Sequence, residues 1–307
     1  MTDLKLAGVD VCNSRLSLRS HKARPCSLMI PVRPDNKAEA LAAYREAGFA
    51  SRYDGLRVTG INDLSFLREF PDMLYLELPE EEDSVDPTCL EGLSNLRGLH
   101  VESTKAGIDF SCFPELEAFF GKWHNDHRNL DQLQELRIVE IQTFHPKSKD
   151  MSDLADITRL DRLEIVRTNV RSLDGIETLE DLQILNIFYG SKLETLEALS
   201  NGLPAMRELS LENCNKIEDY SPIAQVERLR RLKLSTCAAM LDLAWTKGMD
   251  YLDFFSFVET NVKNGNLSPL LDLPRLRYVG TVNRRHYSHK CEELIALLDK
   301  HRDQRAN

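Results

Sequence analysis

Glycine and proline are scarce, 14 and 12 among 307 residues, which excludes collagen-like and low-complexity sequence. No stretch approaches the roughly 20 uninterrupted apolar residues of a membrane span. The opening Met1-Thr-Asp-Leu-Lys-Leu carries an acid before any apolar run builds, so no secretory signal peptide is expected. The 7 cysteines, at 12, 26, 89, 112, 214, 237 and 291, are odd in number and form no C-x-x-C. That excludes both a disulfide framework and a zinc ribbon, and a reducing cytoplasm is the expected location. Also missing are G-x-x-x-x-G-K-S/T, G-x-G-x-x-G, G-x-S-x-G and H-E-x-x-H, the common phosphate-cradling, nucleophile and zinc-protease signatures. The chain is therefore read as non-enzymatic, with no cofactor and no metal.

Basic charge is lacking where it would serve nucleic-acid binding. Residues 51–283 hold 25 Lys and Arg against 40 Asp and Glu, while residues 1–50 carry a net +3 and residues 284–307 a net +2, within a total of -10. A body this acidic repels phosphate backbones, so nucleic acid is not expected as the partner.

What is present is a repeat. The pattern L-x-x-L-x-L recurs as Leu136/Val139/Ile141, Leu160/Leu163/Ile165, Leu182/Leu185/Ile187, Met206/Leu209/Leu211 and Leu229/Leu232/Leu234. Towards the C-terminus it continues as Met249/Leu252/Phe254 and Leu276/Val279/Thr281. Towards the N-terminus it continues as Leu116/Phe119/Gly121, Leu96/Leu99/Val101, Met73/Leu76/Leu78 and Tyr53/Leu56/Val58. These eleven units step by 20, 23, 20, 20, 24, 22, 24, 23, 20 and 27 residues between middle anchors. After each triplet, segments such as I-N-D-L-S-F-L (61–67) and I-E-D-Y-S-P-I (217–223) place apolar residues at three-residue steps, as a 3₁₀ turn does. A unit with a two-residue period followed by a three-residue period cannot bury its own apolar side, and stacking closes the core.

These residues resemble leucine-rich repeats of the internalin-like class over residues 51–283, with Cys214 and Cys237 where the consensus places Asn or Cys. The resemblance implies an α/β solenoid, a horseshoe with a concave parallel β-sheet and short helical or 3₁₀ segments on its convex side. Departures are Gly121 and Thr281 in place of apolar anchors, a long step from Leu252 to Val279, and few members of the Asn ladder.

Residues 1–50 are read as an N-terminal capping region. A hairpin is expected with L-K-L-A-G-V-D-V and L-S-L on either side of C-N-S-R, then a strand at S-L-M-I-P-V, then a helix capped by Asp35 and stopped by Gly48. Residues 284–307 are read as a C-terminal capping helix begun by Ser288.

If the anchors point inward, the residues between and just after them project from the sheet face. Acids and aromatics predominate there. Phe120, Trp123, Phe188, Tyr189 and Phe255 are expected as apolar anchors for a protein partner, with Arg167 beside them, and Glu77, Glu102, Glu140, Glu164, Glu212 and Asp253 as charges that steer a basic one. The alternative for Phe120 and Trp123 is to fold inward and fill the gap at Gly121. The clusters His124-Asn-Asp-His127 with His145, and His286-x-x-His289-x-Cys291, match no established metal spacing and are read as polar caps. The functional expectation is a non-enzymatic scaffold binding a protein on its concave face, in the manner of a bacterial immunity-type inhibitor (an antitoxin) of a basic toxin. The alternatives are an effector or enzyme-associated adaptor, as in leucine-rich-repeat ubiquitin ligases, and a self-assembling structural subunit.

Overall fold

The computed structural model describes residues 5–6, 9–10, 28–47, 53–79 and 84–306. The chain divides into two compact units, Met1–Ile141 and Gln142–Asn307.

In the first unit β1 (Lys5–Leu6) pairs antiparallel with β2 (Val9–Asp10). The expected turn at Cys12-Asn-Ser-Arg15 lies outside the described residues, and the pairing seen falls within the first of the two expected strands. β3 (Leu28–Val32) is present as expected. It is followed by α1 (Lys37–Ala47), β4 (Tyr53–Val58), β5 (Tyr75–Leu78), β6 (Gly98–Val101) and β7 (Ala118–Lys122). β3 to β7 pair in chain order, all parallel. The middle anchors share one register, Ile30↔Leu56↔Leu76↔Leu99↔Phe119, and all are buried. β3 thus extends the sheet by one strand beyond the eleven units legible as L-x-x-L-x-L, with an α-helix as its return segment.

The helix start differs from expectation. Asn36, not Asp35, precedes α1; its carbonyl accepts from Ala40 N at 2.9 Å and its Oδ1 accepts from Arg33 N at 2.7 Å. Asp35 instead pairs with Arg33 at 3.5 Å. Gly48 lies outside the described residues. Later units return through short 3₁₀ segments, here Ser65–Glu69, Pro87–Leu90 and Phe110–Cys112.

A recurring side-chain device starts those segments. Asp63, Asp86 and Asp109 accept the backbone N–H two residues on, from Ser65, Thr88 and Ser111, and Asp150, Asp219 and Asp242 do the same in the second unit. Such Asx turns satisfy an otherwise orphaned donor of the first 3₁₀ turn. Hydrogen bonds from Ser65, Ser152 and Ser221 hold the carboxyls of Asp63, Asp150 and Asp219 below the usual carboxylate range.

β8 (Ile138–Phe144) spans the boundary between the units. The second unit then carries β9 (Arg162–Thr168), β10 (Ile184–Phe188), β11 (Glu208–Glu212), β12 (Arg231–Ser235), β13 (Phe254–Ser256), β14 (Tyr278–Gly280) and α2 (Cys291–Ala306). β9 to β14 are parallel in chain order, with middle anchors Leu163↔Leu185↔Leu209↔Leu232↔Phe255↔Val279. This corrects the reading at β13. The triplet is Leu252/Phe255/Phe257, all three fully buried, rather than Met249/Leu252/Phe254. The irregular steps of 20 and 27 become 23 and 24.

Near the end of β8 and β9 and one to three residues past β10 to β13 the chain turns through a left-handed residue: Thr143, Arg167, Tyr189, Asn213, Thr236 and Glu259 have φ between 52° and 62°. Few non-glycine residues adopt this backbone, and here it recurs at one repeat position. Next to it stands a buried residue, Phe144 in β8 and then the small Thr168, Gly190, Cys214, Cys237 and Thr260. Thr168 Oγ1 donates to Phe144 O at 2.7 Å, and Thr260 Oγ1 donates to Leu234 O at 2.7 Å while accepting from Cys237 N at 2.9 Å. The Cys237 thiol donates to Leu211 O at 3.4 Å. Threonine and cysteine here tie successive turns together. The hydrogen bond with the adjoining Cys237, then burial, pushes the Cys214 thiol well above the ordinary thiol range, consistent with an inert core residue.

α2 buries Leu294 and Leu298, and the Cys291 thiol donates to Val279 O at 3.1 Å. Its start is a second correction. Glu293 accepts the N–H of Lys290 at 2.9 Å, and Asn283 accepts that of Cys291 at 2.7 Å. Ser288 Oγ instead accepts from Leu267 N at 2.9 Å.

Candidate binding surface

The sheet face presents different chemistry in the two units. In the first it is buried. Met29, Tyr75, Ala118, Phe120 and Ile138 form one apolar cluster. Phe120, expected as an interfacial anchor, is 5 % exposed and lies edge-on to His100 at 6.3 Å between ring centroids, so it is buried on the sheet face rather than open to a partner or folded inward at Gly121. Gly121 sits where a Cβ would come within 2.3 Å of Val101 O, which is why the apolar anchor is missing there. Trp123 is half-buried, edge-on to His127 at 5.3 Å, and donates to Asn125 Oδ1 at 3.0 Å.

The acids of this unit are also corrected. Glu77 is fully buried, its Oε2 accepting from Arg57 Nε at 2.6 Å, and Glu102 is buried with its carboxylate 3.2 Å from His100 Nε2. A carboxylate removed from water survives through such partners. It has little field left to steer a partner. Glu140, on β8, is half-buried.

His127 belongs to the same unit. Its Nδ1 accepts from Ile108 N at 2.9 Å while Phe110 and Trp123 each lie 5.3 Å away and Phe119 6.0 Å. Desolvation among these rings lowers its pKa to about 4, so the imidazole is neutral and acts as a backbone cap. His286 is likewise within 3.1 Å of Val262 O. Among the described residues no three His, Cys, Asp or Glu come together in a metal-binding arrangement, and no helix is long and apolar enough to cross a membrane.

The second unit presents an open face. The exposed large hydrophobic residues among those described are Tyr189, Leu241, Tyr251, Val258, Tyr278 and Val282, all of them in this unit. Phe188 is half-buried and pairs in register with Val166 on one side and Glu212 on the other. Tyr189 follows it in the left-handed turn, with its N–H bonded to Glu212 O at 2.9 Å and half its surface in solvent. The turn aims the ring outward while the backbone stays in the ladder. Arg167 occupies the same turn one repeat earlier and is exposed. The structure thus groups Arg167, Phe188, Tyr189 and Glu212 of the expected residues.

Three others do not join them as expected. Glu164 is 7 % exposed and held by Arg162 Nη2 at 3.2 Å and Asn186 Nδ2 at 3.1 Å. Phe255 is a core anchor with no exposed surface, 6.1 Å from Trp245 and 5.0 Å from Phe257 between ring centroids. Asp253 lies before β13, half-buried, instead of between two anchors. The residues missed by the sequence reading are Arg231, Phe254 and Tyr278. The signal was available: a 20-residue step followed by one of 27 marks a slipped triplet, and moving it by three residues puts Phe254 on the face.

No family description and no curated protein matches this chain. Solved structures do. An internalin F of Listeria monocytogenes is similar over 84% of this chain and 87% of its own, with TM-score 0.54 and 16% identity. TLR13, in a complex with ssRNA13, is similar over 85% of this chain and 47% of its own, with TM-score 0.50 and 15% identity. The fold is that of internalin-like leucine-rich-repeat proteins.

Proposed function

We propose that the chain is a non-enzymatic scaffold that holds a protein partner on the exposed sheet face of its second unit. The observation that carries this reading is that Phe188, Val258 and Val282 hold one repeat position, three residues past the middle anchor, with Glu212 and Ser235 at that position between them, while Tyr189 and Tyr278 stand exposed on the same unit. Apolar surface of that kind, rimmed by polar groups, marks protein interaction sites, and rigid aromatics serve as its anchors. Leucine-rich-repeat architecture agrees with the reading by analogy. Acid-base catalysis finds no support, since Glu164 is engaged by Arg162 and Asn186 and the face is open to water. The free thiols of Cys214 and Cys237 suit a reducing cytoplasm.

The finer expectation, an immunity-type inhibitor steered onto a basic toxin by acids, draws little support. Glu77, Glu102 and Glu164 are buried and paired. The test is site-specific photo-crosslinking in the source cell, with a photoreactive phenylalanine at position 189 and, as control, at the exposed Glu197 of the 3₁₀ segment Glu197–Asn201. A discrete protein adduct from position 189 and none from 197 is expected. Adducts from 197 alone would refute the reading.

A further inference from the structure

The partner's chemistry is written in one row of side chains across β11 to β14. Glu208, Arg231, Phe254 and Tyr278 are neighbours in register. Glu208 Oε1 lies 3.6 Å from Arg231 Nε, the Arg231 guanidinium lies 4.3 Å over the Phe254 ring, and the Phe254 and Tyr278 rings stack at 4.6 Å and 10°. Each member fixes the next, so the aromatic end of the row is ordered before anything binds. Tyr278 is nevertheless 45% exposed.

Immediately before each of these strands stand Arg207, Arg230, Asp253 and Arg277. They are brought side by side by the bonds Arg230 N→Arg207 O, Asp253 N→Arg230 O and Arg277 N→Asp253 O, each 2.9 Å. Arg275 lies 4.6 Å over the exposed Tyr251, repeating the pairing of arginine with aromatic. Arg228, Arg230, Lys233 and Arg277 are exposed, and among the described residues no carboxylate forms an ion pair with them. The Arg207 guanidinium is pinned to Pro204 O at 3.2 Å and Met206 O at 3.0 Å, beside Arg228 and Arg230, which repel it. Crowded cations of this kind are relieved by an incoming anion. In a chain of net charge -10, these two rows carry four cations, Arg207, Arg230, Arg231 and Arg277, against Glu208 and Asp253.

We infer that this basic, aromatic edge of the second unit's sheet docks an acidic segment of the protein partner, its carboxylates on Arg230 and Arg277 and an apolar side chain on the Phe254–Tyr278 stack. The inference rests on the protein-binding reading above and gives its partner a sign opposite to the one that composition favours. Arginine forks suit carboxylates, and the stack supplies apolar area at low entropic cost. A nucleic acid is disfavoured because a phosphate backbone needs more cations than this excess of two, on a body that repels it.

The test is fluorescence anisotropy on the full chain with three labelled probes: a peptide alternating Glu and Tyr, one alternating Lys and Tyr, and an oligoadenylate. The Glu–Tyr peptide is expected to bind, to weaken as salt rises to about 0.3 M, and to lose on the order of tenfold affinity in Arg230→Glu/Arg277→Glu. Arg230→Gln/Arg277→Gln is expected to show a smaller loss, which separates charge from any disturbance of the fold. An unchanged affinity in the reversed variant, no binding of the Glu–Tyr peptide, or tighter binding of the oligoadenylate overturns the inference. Preferred binding of the Lys–Tyr peptide, lost in Tyr189→Asp, overturns the acidic partner while leaving the protein-binding reading intact.

Discussion

The register of β13 is open to a sharp test, because two adjacent phenylalanines exchange roles between the two readings. If Phe254 were the anchor, its truncation would open the core and Phe255→Ala would cost little. In the structure Phe255 has no exposed surface and contacts Trp245 and Phe257, whereas Phe254 lies half-exposed between Arg231 and Tyr278. Phe255→Ala should therefore cost about 3–5 kcal/mol, the range for a buried phenylalanine that leaves a cavity. Phe254→Ala removes one cation–π contact of about 0.5–1 kcal/mol and one ring stack of about 0.5–1.5 kcal/mol, hence about 1–2.5 kcal/mol. Urea unfolding followed by far-ultraviolet circular dichroism separates the two. With a slope near about 3 kcal/mol/M, a gap of about 2 kcal/mol puts the Phe255→Ala midpoint about 0.7 M below that of Phe254→Ala. Equal midpoints, or the reverse order at unchanged slope, would refute the register.

Other consequences follow from the same geometry. Thr260→Val strands the Cys237 N–H and the Leu234 carbonyl without their hydroxyl partner; a loss of about 1–3 kcal/mol is expected by thermal unfolding, and a neutral outcome would mean that this threonine ties no turns together. His127 has a folded pKa of about 4, below its unfolded value, so the unfolded chain binds the extra proton between the two. Its contribution is complete above about pH 6.5 and falls away towards pH 4, by about 3 kcal/mol. In His127→Asn, which keeps an acceptor for Ile108 N, stability measured across that window should flatten, and an unaltered slope would exclude the assignment. Iodoacetamide at neutral pH should alkylate the half-buried Cys291 before Cys214, whose thiol is buried and raised; mass-spectrometric mapping showing Cys214 modified first would contradict that.

The repeat was legible because its anchors are spaced by the rise of one turn of solenoid, and Leu163, Leu185, Leu209 and Leu232 stand in register as their spacing requires. The reading slipped at Leu252 because Met249, Leu252, Phe254, Phe255 and Phe257 offer two overlapping apolar triplets, and only pairing with Leu232 chooses between them. β3 escaped the pattern because Pro31 and a full α-helix interrupt it, although Ile30 pairs with Leu56 as any other anchor does. The caps at Asn36 and Lys290 fell one and two residues from Asp35 and Ser288. A polar side chain near a helix start can serve the helix or a neighbouring turn, and Ser288 serves Leu267.

The candidate surface was partly legible. Tyr189 and Arg167 were placed outward by counting from the anchors, and the left-handed turn they occupy aims them as expected. The acids could not be read that way. Exposure of Glu77, Glu102 and Glu164 depends on whether Arg57, His100 and Arg162 close upon them.

Period and polarity along the chain determined the architecture, since anchors spaced at one repeat have a single way to share a core. Which charges remain uncompensated is decided by how side chains on the face close upon one another, two residues along a strand as for Arg162 and Glu164 or one repeat away as for Arg57 and Glu77, and that is why only the folded chain distinguishes a neutralised carboxylate from an unopposed arginine.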